Sequence, residues 1–261
     1  MAKHHRRLNQ CIYERYLAEG RGQGEGKGYK PWIRVQDFAS AGTVSRIYSS
    51  KTERVHHLLS NHERYYFYLL EWSDQVIDIR EQFPLSEIQT AMEIAAGAGI
   101  KYPKDSISGF PYVMTCDFMV TTQNGLRART IKQTTELSDT RTIEKLEIER
   151  RYWNQFGVDW KIVTEKDIPV QKAKEIEWVR SSGVGYIGQE NIRLKKELLA
   201  TVKERFNNKE SSVVSVAGHI DLEYALPTGT GLLLFKHLVM TKQLSAETKL
   251  CSSPPRMAAA V

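Results

Sequence analysis

Tyr112-Val113-Met114-Thr115-Cys116-Asp117-Phe118-Met119-Val120-Thr121-Thr122-Gln123-Asn124-Gly125-Leu126-Arg127-Ala128-Arg129-Thr130-Ile131-Lys132 is the stretch whose reading decides the fold class. Tyr112 to Val120 is apolar and β-prone, and Leu126 to Lys132 returns as a second run of the same kind. Between them stands Asn124-Gly125, the strongest two-residue hairpin signal, because both residues tolerate the positive φ such turns need. With these two as the loop, Gln123 faces Leu126, and counting outward Asp117 faces Lys132. Asp is a poor strand residue, and here it shares a face with Val113, Thr115 and Met119. Directly opposed Cβ atoms lie about 4.5–5.5 Å apart, so a carboxylate and an ammonium converge on one face of the sheet. A plain cross-strand ion pair is the alternative reading of the same two residues.

Downstream of the hairpin, Thr140 to Phe156 has helical periodicity with Ile143, Leu146, Trp153 and Phe156 on one face, and Trp160 to Thr164 reads as a strand. Upstream, Ile33 to Phe38 and Val44 to Tyr48 read as short strands, Val55 to Trp72 as a helix and Val76 to Ile79 as a strand. Leu85 to Ile107 reads as a surface excursion containing one short helix. Glycines at 20, 22, 24, 26 and 28 predict a flexible joint, with main-chain contact to a phosphate backbone as the alternative. Neither Gly-Lys-Ser/Thr nor a strand-to-helix context accompanies them, so a nucleotide-binding loop is not supported.

After Glu165-Lys166-Asp167-Ile168-Pro169 the pattern changes to helices over 173–180, 192–206, 215–226 and 232–242, the last of them basic. Such a cluster suits a helix-turn-helix or winged-helix module. We place a boundary there, giving units 1–168 and 169–250, and read 251–261, rich in Ser, Pro and Ala, as a disordered tail.

The whole chain of 261 residues is 41% hydrophobic and 26% charged, which excludes a disordered or fibrous protein. Lys and Arg number 37 against 31 Asp and Glu, a formal charge of +6 that favours polyanionic partners. Cys11, Cys116 and Cys251 are far apart and form no ligand spacing, which argues against a disulfide framework and a structural zinc site and fits a reducing cytoplasm. No apolar run approaches a membrane span, so no membrane partner is expected.

Glu63 lies at helical spacing from Leu59, Tyr66, Phe67 and Leu70, on a face that should be buried. A carboxylate there needs a cation, either a metal ion or the arginine of a salt bridge. His62-Glu63 resembles the start of HExxH, but Tyr66 occupies the second histidine's place, so zinc is not supported. His57 or His62 remains a candidate for contact with a phosphate near these acids.

An Asp, a hairpin, an X-Ile-Lys, a Glu on an earlier helix and an amphipathic helix afterwards together resemble the restriction-endonuclease-like nuclease core. Longer stretches make the likeness specific. They are Arg21-Gly22-Gln23-Gly24 with Pro31-Trp32, Arg46-Ile47-Tyr48-Ser49, Val55-His56-His57-Leu58-Leu59-Ser60, Leu70-Glu71-Trp72, Asp78-Ile79-Arg80-Glu81-Gln82-Phe83-Pro84-Leu85, and Glu144 to Trp153. Together they resemble the TnsA family, endonuclease subunits of the heteromeric transposases of target-selective bacterial transposons.

The resemblance implies an α/β restriction-endonuclease-like N-terminal domain, a mixed sheet flanked by helices, and a small, mostly α, winged-helix-like C-terminal domain. It implies a Mg²⁺-dependent endonuclease cutting the 5′ ends of the transposon in the bacterial cytoplasm, with up to two Mg²⁺ and with Mn²⁺ able to substitute. The implied partners are transposon-end DNA, the DDE-type transposase TnsB that cuts the 3′ ends, and the ATPase regulator TnsC. By position Glu63, Asp117 and Lys132 match the catalytic acids and lysine, and Thr130 with the Ile131 backbone falls at the remaining metal-ligand slot. The family carries Gln where Thr130 stands, and a shorter neutral hydroxyl would hold a second metal more weakly or through water. Glu149 is either a supporting acid or a surface residue. Lys236 and Lys242 are candidates for binding DNA or a partner protein. A non-catalytic adaptor bridging the transposase and the ATPase, and a stand-alone restriction-type nuclease, are the competing functions.

Overall fold

The computed structural model describes residues 8–37, 43–180, 192–207 and 212–244. The chain divides into two compact units, 1–173 and 174–261.

The first unit is built on a four-stranded sheet. Its strands are β3 (Val76–Pro84), β4 (Thr115–Thr122), β5 (Gly125–Ile131) and β6 (Asp159–Val163), side by side in that order. Neighbours are antiparallel except β5 and β6, which run parallel because helix α4 (Thr140–Gln155) carries the chain back between them. Mixed pairing of this kind, with helices around it, is the α/β arrangement expected.

Ahead of the sheet come α1 (Gln10–Ala18), a two-stranded hairpin of β1 (Ser45–Ser49) and β2 (Arg54–Leu58), and α2 (Asn61–Trp72). Helix α3 (Ile88–Gly97) lies between β3 and β4 in the chain. Its Ala91 and Ala95 join Met119 and Ala128 of the sheet and Ile148, Tyr152 and Trp153 of α4 in one core. The segment after β3 is therefore part of the core and not only a surface excursion.

Several expectations are corrected. Val55 to Leu58 is strand, not helix, because alternate residues Arg54, His56 and Leu58 turn inward and pair with β1. Of the strand expected over Ile33 to Phe38, the described residues Ile33 to Asp37 form none: Val35–Asp37 is a single 3₁₀ turn, and Phe38 lies outside the described residues. On α4 the buried face is Leu146, Ile148, Glu149, Tyr152 and Trp153, while Ile143 and Phe156 are exposed, so the face is rotated and admits a glutamate.

The glycine-rich stretch is ordered against β3. Gly26 N donates to Asp78 Oδ2 at 3.1 Å, and Gly22, at φ +75°, lies so close to Pro84 that a Cβ would meet its ring. The stretch is not a joint: its glycines let the backbone turn left-handed, and at Gly22 it approaches β3 where a side chain would not fit.

In the second unit the described elements are helices: most of α5 (Val170–Arg180, which begins in the first unit), α6 (Ile192–Asn207), α7 (Val213–Glu223) and α8 (Thr230–Met240). Among the described residues this unit contains no strand. Gly231 permits α8 to touch α7, since a Cβ there would fall 2.4 Å from the Ala217 carbonyl oxygen. Asp221 ties the turn by accepting from Gly229 N and Gly231 N, each at 2.6 Å. Residues 251–261, read above as a disordered tail, lie outside the described residues.

Candidate active site

Helix α2 begins with a cap. Ser60 Oγ accepts from Glu63 N at 3.1 Å, and the Glu63 carboxylate folds back to accept from Leu59 N at 2.9 Å and Ser60 Oγ at 3.0 Å. This Ser-x-x-Glu arrangement satisfies the orphan Glu63 amide of the first turn and the Leu59 amide just ahead of the cap, and holds a buried carboxylate at the helix start. No arginine salt bridge accounts for Glu63 among the described residues: its further partner is Gln82 of β3, whose Nε2 lies 3.4 Å from Glu63 Oε2.

The same Nε2 lies 3.4 Å from Asp117 Oδ1 on β4, so one amide stands between the two predicted acids. Asp117 Oδ2 accepts from Ile131 N at 2.6 Å across the sheet. Lys132 directs its Nζ to the Ile131 carbonyl at 3.0 Å. Glu63, Asp117, Ile131 and Lys132 thus come together as expected.

The hairpin register differs from the one inferred. Thr122 pairs with Gly125 and Phe118 with Arg129, so the loop is Gln123-Asn124 and Gly125, at φ +111°, already belongs to β5. Thr122 Oγ1 closes the loop, accepting from Asn124 N at 3.2 Å and donating to Gly125 O at 2.9 Å. Continued one step, this register puts Thr130 opposite Asp117 and Lys132 diagonally next. The displacement is by two residues, which keeps every side chain on its face, so the acid and the lysine still share one side.

Thr130 is buried and donates to Glu149 on α4, whose Oε1 also accepts from Trp160 Nε1 at 2.9 Å. Glu149 is thus an interior acid tied to the hairpin, not a surface residue. His57 and the neighbouring His56 serve the fold: Val35 N donates to His57 Nδ1 at 3.2 Å, and His56 lies between Thr52 Oγ1 and Glu81 Oε2, 2.7 Å from each. Lys236 is buried with its ammonium 4.3 Å from the Trp178 ring centroid, whereas Lys242 is exposed.

Burial dominates the electrostatics. It raises the carboxyl pKa of Glu63, with the Asp117 charge adding to the rise, and it also raises that of Asp117, where Lys132 and the Ile131 amide pull the other way. Burial pushes Glu149 up to about 7. At Lys132 burial opposes the ammonium, yet Asp117 and the surrounding glutamates outweigh it and raise the pKa. The site is a set of desolvated acids around one lysine, short of positive charge.

Two family models match consecutive parts of the chain: TnsA-like endonuclease N terminal over residues 73–165, and TnsA endonuclease C terminal over residues 167–247. The chain is also 40% identical over 235 residues to the Transposon Tn7 transposition protein TnsA of Escherichia coli, covering 89% of this chain and 84% of that one. The chain belongs to the TnsA endonuclease family. In this TnsA-family chain the N-terminal match contains Gln82, Asp117, Thr130, Ile131, Lys132 and Glu149, and Glu63 reaches them from α2 just upstream of it. No described helix is long and apolar enough to cross a membrane.

Gln82 is the site residue that reading the sequence for chemistry missed. It stands inside a quoted motif, but nothing in Glu81-Gln82-Phe83 reveals that the backbone turns left-handed at Gln82, φ +48°. The one available signal was a run of polar residues, Arg80-Glu81-Gln82, in a β-prone segment.

Proposed function

We propose that this chain is the Mg²⁺-dependent DNA endonuclease subunit of a heteromeric transposase, hydrolysing the phosphodiester at the 5′ ends of the transposon in cut-and-paste transposition. In this reading it acts in the bacterial cytoplasm with the DDE-type transposase TnsB and the ATPase regulator TnsC. The observation that carries it is the convergence of the Glu63 and Asp117 carboxylates on a single amide nitrogen, 3.4 Å from each, beside Lys132 in a TnsA-family fold.

The donor set fits a hard divalent cation. Glu63 and Asp117 are oxygen ligands of fixed orientation, because Leu59 N, Ser60 Oγ and Ile131 N hold their other lone pairs. The Ile131 carbonyl is a third oxygen on the same strand end. When bound, Mg²⁺ polarises the scissile phosphate and makes a water nucleophilic at neutral pH. Thr130 donates its hydroxyl hydrogen to Glu149 and so holds that acid in place, while its oxygen lone pairs stay open to a cation.

The Lys132 ammonium, now on the Ile131 carbonyl, is the group that turns to the phosphate, orients the attacking water and offsets developing charge. The water oxygen forms a bond to phosphorus as the P–O3′ bond breaks; the water gives up one proton to solvent and the leaving O3′ takes one back, so protons balance. The products are a 5′ phosphate and a 3′ hydroxyl.

The test is strand-resolved cleavage of a labelled transposon end by the complete complex with Mg²⁺. Asp117→Ala and Lys132→Ala should each abolish 5′-strand nicks while 3′-strand cleavage persists. A wild-type complex that cuts only 3′ strands would make this chain an adaptor; cutting by the isolated chain would make it a stand-alone nuclease.

A further inference from the structure

Gln82 adopts a conformation that a residue with a side chain enters only at a cost. Its φ of +48° interrupts β3 between two ordinary ladder pairs, Glu81 with Phe118 and Phe83 with Cys116. The surrounding fold imposes it. Glu81 is clamped by Arg54 and His56, Phe83 stacks on Tyr29 with centroids 6.0 Å apart, and Trp32 N donates to the Gln82 carbonyl at 3.3 Å.

In this conformation the Gln82 amide is buried between Glu63 and Asp117, with its far end accepting from Thr115 Oγ1 at 3.3 Å. Neighbouring ligands of an octahedral Mg²⁺, each about 2.1 Å from the ion, stand about 3 Å apart. The 3.4 Å separations therefore put the amide head near ligand spacing from both acids. Among the described residues no group of three His, Cys, Asp or Glu side chains could hold a metal ion, so a third side-chain ligand has to be neutral.

We propose that Gln82 is this third ligand and that its amide reverses when the cation binds. In the structure the NH₂ end faces the two carboxylates. With a divalent cation between them, that end is repelled and Oε1 takes its place. The reversal strands no partner: Nε2 then donates to Thr115 Oγ1, and a hydroxyl that was donating accepts equally well. The proposal rests on the metal-dependent reading of the site, and binding measurements separate the two.

The experiment is Mn²⁺ titration of the full chain without DNA, by calorimetry and by the loss of the free-ion electron paramagnetic resonance signal, with thermal melting as the control. Gln82→Leu should weaken Mn²⁺ binding at least ten-fold. Gln82→Glu, which keeps an oxygen there, should bind at least as tightly as wild type. Gln82→Gly accepts φ +48° without strain, so it should bind as weakly as the Leu variant without loss of melting temperature attributable to the backbone. Unchanged affinity in both Gln82→Leu and Gln82→Gly, or a loss in Gln82→Glu equal to that in Gln82→Leu, would overturn the assignment. Asp117→Ala marks the other failure: wild-type Mn²⁺ affinity in that variant would sink the metal site itself, whatever Gln82 does.

Discussion

Gly22 and Gly26 provide a controlled pair for testing how closely the glycine-rich segment is pressed onto β3. Both have positive φ, +75° and +49°, but a Cβ at Gly22 would lie 2.4 Å from Pro84 Cγ and 3.0 Å from Cδ, while at Gly26 nothing lies within 4 Å. An alanine in left-handed conformation costs about 1–2 kcal/mol, of which about 0.4–1 kcal/mol is offset by the reduced freedom of the unfolded chain. Gly26→Ala should therefore destabilise the first unit by about 1 kcal/mol. Gly22→Ala adds overpacking of about 1–3 kcal/mol, because Pro84 is a ring and cannot rotate away. The two variants should differ by about 2 kcal/mol, or about 4–8 °C in melting temperature for a unit of this size. Urea unfolding followed by tryptophan fluorescence reads this unit, since Trp32, Trp72, Trp153 and Trp160 lie in it. Equal midpoints for Gly22→Ala and Gly26→Ala would refute the close approach and return the segment to a flexible joint.

Replacing Glu81 by Leu strands the Arg54 guanidinium, which donates to Glu81 at 2.9 and 2.6 Å, and should cost about 3–5 kcal/mol in chemical denaturation; a loss below 1 kcal/mol would show the pair to be dispensable. Thr130→Val removes the donor to Glu149 and leaves that acid with Trp160 alone, so the unfolding midpoint should fall by about 1–3 kcal/mol equivalent. No fall would mean that the hydroxyl does not hold Glu149. Asp105 accepts from the Ser108, Leu8 and Ile107 amides, which depress its pKa below the ordinary range. A depressed carboxylate stabilises above its unfolded pKa of about 3.9 and loses that contribution as the pH falls through the folded value. Asp105→Asn should accordingly flatten the acid limb of stability measured from pH 5 to pH 2, and an unaltered limb would count against the bonds.

The candidate site residues Glu63, Asp117 and Lys132 were legible because their types are anomalous where they stand: a carboxylate on an apolar helix face, an Asp in an apolar strand, a Lys on the returning strand. The C-terminal helices were legible from their period. Register was not, since Thr122 closes the hairpin through its own hydroxyl and moves the loop to Gln123-Asn124. Faces survived that error because strand sides repeat every two residues.

By itself the sequence determined the hairpin with the helix and strand that follow it, the basic balance of charge, the family resemblance and the chemical types at the candidate site. Tertiary structure alone decided three things: that Gly20 to Gly28 is laid on β3, that Glu149 turns inward to Thr130, and that Gln82 stands between the two acids. Each depends on contacts between residues far apart in the chain. At Gln82, Trp32 from one side and the Arg54–Glu81–His56 cluster from the other hold a backbone conformation that no local preference would select.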